Sequence, residues 1–332
     1  MARPRLQIGF IGCGRIASSH ADVLCHLGHH ISSVSARPGS PHLPEFADRY
    51  GVPRSYPSPE AQWAEERPDA WWVLTPYQVT DRLLPALAAC TAPCFVEKPA
   101  AMSSVQAARA LQVQTARGTR MQVGYNRRFY SVLDAVRARL SAGNLTAVEV
   151  HLAEPVDRLL ASGELQAPGD LLCYKGSHVL DLVCHLLGPL EVRTMCASAT
   201  SDRQPASFNG LLWSPTHRVP VHFSANWSAP VNAGVALYFG DELLRISPLE
   251  RLVVTRGLRV VDPSRVRPFR TYEPMPVSEA WVEGGFKPGF VRQAEHFIDS
   301  CVLGRIPNGI GPTLSESLEL AHLCERISVQ EP

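Results

Sequence analysis

The chain contains no apolar run approaching the roughly 18 residues a membrane-spanning helix needs, and no long block of like charge. With 32 Lys and Arg against 31 Asp and Glu, its formal net charge is +1. That excludes the basic footprint of a nucleic-acid binder and an electrostatic anchor to a membrane surface. There are no internal repeats and no low-complexity segment. Nine cysteines lie scattered at positions 13, 25, 90, 94, 173, 184, 196, 301 and 324, with no Cys-x-x-Cys among them. An odd, scattered set reads as reduced thiols in a cytoplasmic protein. The opening MARPRLQIGF has neither the apolar core nor the cleavage site of a secretory signal. His20, His26, His29 and His30 lack metal-ligand spacing, so no metal is expected. One further absence lies inside the chain: no acidic residue occurs between Asp22 and Glu45.

What is present bounds the answer. A chain of 332 residues, 45% hydrophobic, suggests two domains with ample cores. Leu6 to Ile11 is a short apolar run. Gly12, Gly14 and Ala17 follow, then an apolar-periodic stretch to Leu27. This is strand, tight turn and helix, with the G-x-G-x-x-G/A spacing of a dinucleotide site. Gly12 permits the turn, Gly14 lets the backbone approach a pyrophosphate, and Ala17 lets helix and strand pack closely. Gly12, Gly14, Arg15 and Ile16 are the expected phosphate-facing residues, at a positive helix end. Ile31 to Ser35 reads as the second strand. An NAD-type site places an acid at its end for the ribose 2′-hydroxyl. Here the strand runs into Ser35-Ala36-Arg37, and a hydroxyl with a forked guanidinium suits a 2′-phosphate. NADP(H) is therefore favoured over NAD(H).

Further along, Leu43 to Tyr50 reads as a helix stopped at Gly51. Ser58 and Pro59 open another helix, and Ala70 to Leu74 is a buried strand followed by Thr75-Pro76. Thr80 to Cys90 is helical, and Cys94 to Val96 is a strand ending in Glu97-Lys98-Pro99. Ser103 or Ser104 caps a helix through Ala116, and Arg120 to Gly124 is again a strand. Strands alternating with helices of this length specify a parallel, doubly wound sheet, with ligands beyond its carboxyl edge. After a helix over Val132 to Leu140 the pattern changes. Ala147 to Ala153 is a strand and Gly176 to Leu187 an apolar helix. Strand-like runs then follow at Val192–Ser198, Gly210–Trp213, Val219–Trp227, Gly234–Phe239, Leu243–Ile246 and Leu252–Val254. With no helix between them, they predict a mostly antiparallel sheet. Helices over Gly289–Leu303 and Leu314–Ile327 close the chain. The expected fold class is α/β: an N-terminal Rossmann domain over 1–122, and over 123–332 an α/β domain with a large, mostly antiparallel open sheet.

Taken together these residues resemble the Gfo/Idh/MocA oxidoreductases, the glucose–fructose oxidoreductase and inositol dehydrogenase relatives. The resemblance rests on Gly12-Cys13-Gly14-Arg15-Ile16-Ala17, on Thr75-Pro76, on Glu97-Lys98-Pro99, on Val123 to Phe129, and on Gly176-Ser177-His178-Val179-Leu180-Asp181. It implies hydride transfer between a nicotinamide and a carbinol carbon of a sugar, nucleotide sugar or cyclitol. It also implies a C-terminal domain that binds substrate and forms a homo-oligomer, a dimer or tetramer, through its open sheet. Lys98 would be the catalytic lysine and His178 the catalytic histidine. The chemistry asks for such groups, because a carbinol gives up hydride only as its hydroxyl proton leaves. Thr75, Pro76 and Glu97 would line the cofactor, while Asn126, Arg127, Lys175 and Asp181 would be polar groups of the substrate pocket.

Two departures stand out. Relatives often carry Asp four residues before the histidine; here Tyr174 stands there, a phenol uncharged at neutral pH. It would line the pocket beside His178 or pack as a filler, and Asp170 lies one turn earlier at a glycine position. Thr80 stands where relatives often have His. Two other functions stay open: a dinucleotide-binding regulator without turnover, and a redox-assisted glycosidase.

Overall fold

The structure is a computed structural model that describes residues 4–165, 170–199, 205–307 and 309–329. The chain forms two compact units. One runs to Phe129 and includes Gly284–Glu325; the other comprises Tyr130–Glu283 and the chain from Arg326.

In the first unit, six parallel strands lie in the order β3-β2-β1-β4-β5-β6. They are β1 (Gln7–Ile11), β2 (His30–Ser35), β3 (Ser55–Tyr56), β4 (Ala70–Val73), β5 (Cys94–Val96) and β6 (Met121–Val123). The helices between them are α1 (Arg15–His26), α2 (Leu43–Tyr50), α3 (Pro59–Glu65), α4 (Tyr77–Ala88) and α5 (Ser104–Arg117). The strands are buried almost throughout, as a sheet covered on both faces requires. Local chemistry sets several boundaries as expected. Gly51 ends α2 in the left-handed region at φ 59°, where a glycine carries no steric penalty. The Ser58 hydroxyl accepts from the Ala61 amide at 3.2 Å, and Ser103 caps α5. Helix α4 starts three residues before the expected Thr80, with Pro76 as its N-cap.

The second unit carries eight strands in the order β14-β13-β12-β11-β7-β10-β9-β8. They are β7 (Ala147–Leu152), β8 (Glu191–Ala199), β9 (Pro205–Ser214), β10 (Val219–Asn226), β11 (Gly234–Phe239), β12 (Glu242–Ile246), β13 (Arg251–Val261) and β14 (Thr271–Trp281). Every neighbouring pair is antiparallel except β7 with β10. One face is apolar: Val148, Val150, Phe223, Leu237 and Leu244 are all at most 2% exposed. This unit also holds α6 (Leu133–Ser141), α7 (Val156–Ala161) and α8 (Ser177–Leu187). Among the described residues no helix is long and apolar enough to cross a membrane.

Three expectations are corrected. Strand β13 is far longer than Leu252–Val254, and β14 was not foreseen. β14 carries Pro274 and Pro276 and alternates little in burial, which a strand tolerates only at a sheet edge. The helix expected from Gly176 begins at Ser177 and follows a wider π-turn over Leu172–Gly176. The domain boundary lies past Phe129 rather than at 122, and the closing segment through Glu325 belongs with the parallel sheet. Its helix α9 (Phe290–Phe297) supplies apolar mass to that core: Phe290, Ala294, Phe297, Ile298 and Cys301 cluster with Ile8, Phe10, Ala17 and Trp72. The final helix, α10 (Leu314–Ser328), opens with a reciprocal cap. The Glu316 carboxylate accepts the Thr313 amide at 2.8 Å and the Thr313 hydroxyl accepts the Glu316 amide at 3.1 Å, the capping-box arrangement.

Phe297 is fully buried, with its ring edge-on to Trp72 at 4.9 Å and to Phe95 at 5.7 Å. Phe297→Ala should cost the first unit about 3–5 kcal/mol by leaving a cavity. Denaturant unfolding followed by tryptophan fluorescence checks this; a loss below about 1 kcal/mol would show that α9 is not part of that core.

Candidate functional site

The carboxyl ends of the parallel strands form one row, pinned by main-chain hydrogen bonds. The Gly12 amide donates to the Ser35 carbonyl at 2.8 Å, Leu74 to Ile11 at 2.8 Å, Glu97 to Val73 at 2.9 Å and Gly124 to Val96 at 2.7 Å. The residues singled out after β1, β2, β4 and β5 therefore stand along one edge. The strand order reverses between β1 and β4, where open α/β sheets take their ligands.

At that reversal Gly12 has φ 102°, and a Cβ there would lie 2.6 Å from the Leu74 carbonyl oxygen, so no side chain fits. Around Gly14 nothing stands within 4 Å of where a Cβ would be, which leaves the turn open to an approaching group. Gly14 is the N-cap of α1, no side chain caps it, and the first turn holds no acid. The amides there can take an anion, and Arg15 is exposed beside them. Ala17 is fully buried beneath the turn. Gly28 follows the last turn of α1 at φ 83°. Ser35 is 1% exposed, and its hydroxyl is buried with no partner among the described residues. Arg37 is exposed. Open turn, uncapped amides and orphaned hydroxyl fit a bound dinucleotide.

Thr75 and Thr80 satisfy each other. Their hydroxyls are 2.8 Å apart and Thr80 also donates to the Thr75 carbonyl at 3.2 Å. Thr80 is thus a fixture of the Thr75-Pro76 turn, buried at 1% exposure. Glu97 is turned inward: one carboxylate oxygen lies 3.0 Å from His20 Nε2 and the other accepts the Lys98 amide at 3.1 Å. Burial would raise the Glu97 carboxyl, but the His20 hydrogen bond and the positive charges of Lys98 and Lys287 hold it below the usual carboxylate range. Lys98 itself is partly exposed. After β6, Asn126 is 6% exposed and donates to the Pro288 carbonyl at 2.9 Å, so its amide ties two segments of the chain together. Arg127 is partly buried, and one of its terminal nitrogens is buried with no acceptor among the described residues. A buried guanidinium nitrogen without an acceptor is costly, and an anionic or hydroxyl-rich ligand would relieve it.

The second unit holds the other four residues. His178 is partly buried in the first turn of α8. Tyr174 lies in the π-turn before it, its ring packed on the apolar cluster of Leu159, Leu165 and Leu171. The i,i+4 stacking expected for an α-helix is therefore replaced by the wider i→i+5 turn. Lys175 is paired with Glu164 at 3.2 Å and sits 4.9 Å from the Tyr174 ring centre. Asp181 is 2% exposed, so its carboxylate serves the interior of α8's surroundings rather than an open pocket. A separate hollow of about 550 Å³ lies on the open sheet face, between Glu149 and His151 on one side and Arg245 and Ser247 on the other, over Gly234 and Ala236. None of the four predicted residues lines it. Among the described residues no group of three or more His, Cys, Asp or Glu could hold a metal ion.

Residues 6–125 match the oxidoreductase family with an NAD-binding Rossmann fold, GFO_IDH_MocA. That stretch of the Rossmann unit is similar to that family. A curated relative, myo-inositol 2-dehydrogenase from Thermotoga maritima, is 23% identical over 180 residues, 54% of this chain and 52% of its own length. The chain thus spans about half the length of that relative. Two solved structures share the whole fold. An oxidoreductase from Agrobacterium radiobacter in complex with NAD+, L-tartaric acid and magnesium has a TM-score of 0.76 at 19% identity, covering 97% of this chain and 95% of its own. The WlbA dehydrogenase from Bordetella pertussis, in complex with NADH and UDP-GlcNAcA, has a TM-score of 0.75 at 15% identity, covering 98% and 95%.

Sequence reasoning passed over His20, which has no metal-ligand spacing. The signal was present in another form: His20 falls on the face of α1 that carries Ala17, Ala21 and Leu24, all fully buried. A polar side chain on the buried face of a helix needs a partner, and Glu97 is that partner.

Proposed function

We propose that the protein is an oxidoreductase that moves a hydride between a nicotinamide and a carbinol or keto carbon of a sugar, nucleotide sugar or cyclitol. The observation that carries this reading is the pinned edge on which the open glycine turn and Lys98 both stand. The relatives' printed ligands and activities, a cyclitol dehydrogenase and a dehydrogenase holding UDP-GlcNAcA, agree in chemical class. The bound cofactor would supply or accept the hydride. Gly12, Gly14, Arg15 and Ile16 would hold its phosphates, with Thr75, Pro76 and Glu97 bounding the site. Ser35 and Arg37, with no acid nearby in the sequence, would favour a 2′-phosphate and hence NADP(H). Lys98 takes the hydroxyl proton in oxidation and returns it in reduction; His178 assists. Tyr174 supplies a hydroxyl where relatives often have a carboxylate, and Arg127 holds substrate oxygens. Asn126 and Lys175 support the substrate region through the contacts already given, and Asp181 from its buried place on α8. The second unit binds substrate and joins copies through its open sheet; Leu258, Val260, Tyr272 and Trp281 near its β13–β14 edge are each more than half exposed. A cytoplasmic location is part of this reading, from the odd number and scattered spacing of the cysteines.

A regulator that binds the dinucleotide without turnover is the second reading. The packing of Tyr174 on an apolar cluster favours it.

Two measurements test the cofactor and proton-transfer assignments. NADPH should bind more tightly than NADH, and Arg37→Ala should weaken NADPH about tenfold to a hundredfold, the worth of one charge-assisted hydrogen bond. Fluorescence titration reads this directly; equal affinities in the wild type would remove the 2′-phosphate assignment. Lys98→Ala should lower kcat by about 10²–10⁴-fold with cofactor affinity nearly unchanged, as for a lost acid–base group. Retention of more than about a tenth of the rate would free Lys98 of that role.

A further inference from the structure

The carboxylate that adjoins Lys98 is met by a residue from another element. His20 lies in the second turn of α1, the helix whose first turn forms the glycine site. It is 2% exposed and sits between two rings, stacked on Phe290 at 4.3 Å and edge-on to Phe95 at 5.1 Å. Its Nε2 meets Glu97 at 3.0 Å, and the other oxygen of that carboxylate accepts the Lys98 main-chain amide at 3.1 Å. Gly124 comes close to Glu97 and to the same carboxylate oxygen that meets His20. A Cβ there would lie 3.1 Å from the carboxylate oxygen and 3.2 Å from the Glu97 Cα. The carboxylate is thus held by the His20 contact and by close packing at Gly124.

We propose that His20 is a positioning residue for Lys98, acting through Glu97. The inference rests on the reading of Lys98 as the proton-transfer group. Burial holds the His20 imidazole below its ordinary value, against the raising effect of Glu97, so at neutral pH a neutral imidazole donates Nε2–H to an ionised carboxylate. A charge-assisted hydrogen bond of this kind is among the stronger ones, and its acceptor is the side chain adjoining the lysine. The link runs from helix to carboxylate to lysine amide. It joins the helix at the cofactor turn to the main chain that presents the lysine.

The chain has three lysines, Lys98, Lys175 and Lys287, which makes a reading independent of turnover practical. Lys98 can be acetylated with an N-hydroxysuccinimide ester and its rate compared with that of Lys175 by peptide mass spectrometry. His20→Leu removes the donor and keeps the packing volume; His20→Gln keeps a nitrogen donor. We expect His20→Leu to change the Lys98 to Lys175 rate ratio about threefold or more, and to lower kcat about tenfold or more with cofactor KM within about twofold, the signature of a defect in the chemical step. His20→Gln should restore both. An unchanged labelling ratio in His20→Leu overturns the proposal, as does a His20→Gln variant that behaves like His20→Leu, since packing rather than the donor would then be responsible. If His20→Leu fails to fold, the Gln variant and Glu97→Gln, which weakens the same link from its other end, carry the test: an unchanged ratio in Glu97→Gln overturns it. A wild-type protein that turns over no substrate overturns the functional reading alone, and the labelling ratio still decides the positioning role.

Discussion

The arrangement depends on a ladder of five main-chain hydrogen bonds that crosses the carboxyl edge of the parallel sheet. The loops that leave β1, β2, β4, β5 and β6 are each fixed by their first amide to a carbonyl on the neighbouring strand. Those bonds lie where buried strands stop and functional residues begin. A loop left free there would sample many conformations, at a cost of about 1–2 kcal/mol per residue to order on binding. Here that cost is met in folding, by strands whose side chains are buried on both faces. Gly12, Thr75 and Glu97 therefore take fixed places, and Glu97 accepts the Lys98 main-chain amide.

This edge was legible because its signals are local. Parallel strands covered on both faces are continuous apolar runs, and LQIGFI, AWWVL and CFV stand out between helices with ordinary caps. The glycine spacing reports a backbone requirement that Gly12 meets at φ 102°. The His20–Glu97 link was not legible, since 77 residues separate its partners and only the fold brings them together. The closing helices could be read as helices but not assigned to a unit: the periodicity of Phe290 to Phe297 marks an apolar face without saying which core receives it. Strand β14 was missed because two prolines and weak alternation hide an edge strand. Past Leu152 the helix α7 is too short to register, and the π-turn before α8 has no sequence mark distinct from an α-helix.

The second unit bears the clearest departure from its relatives. With Tyr174 packed against Leu159, Leu165 and Leu171, the helix turn before His178 is anchored by apolar contact where relatives often carry a carboxylate. Lys175 is held by Glu164 and by the Tyr174 ring, and Asp181 is interior. The polar groups expected to meet substrate are therefore largely committed to the protein itself. On the proposed reading, His178 and the Tyr174 hydroxyl are the groups that remain for proton chemistry on this unit.

Hydride transfer is read by following the nicotinamide absorbance of the wild-type protein with a panel of sugars, nucleotide sugars and cyclitols. NADP+ and NADPH would each be supplied at concentrations that saturate binding. The account predicts a progressive change with at least one panel member in one direction. Tight binding of the cofactor, with no change in either direction for any member, would contradict it and leave a dinucleotide-binding protein without this chemistry.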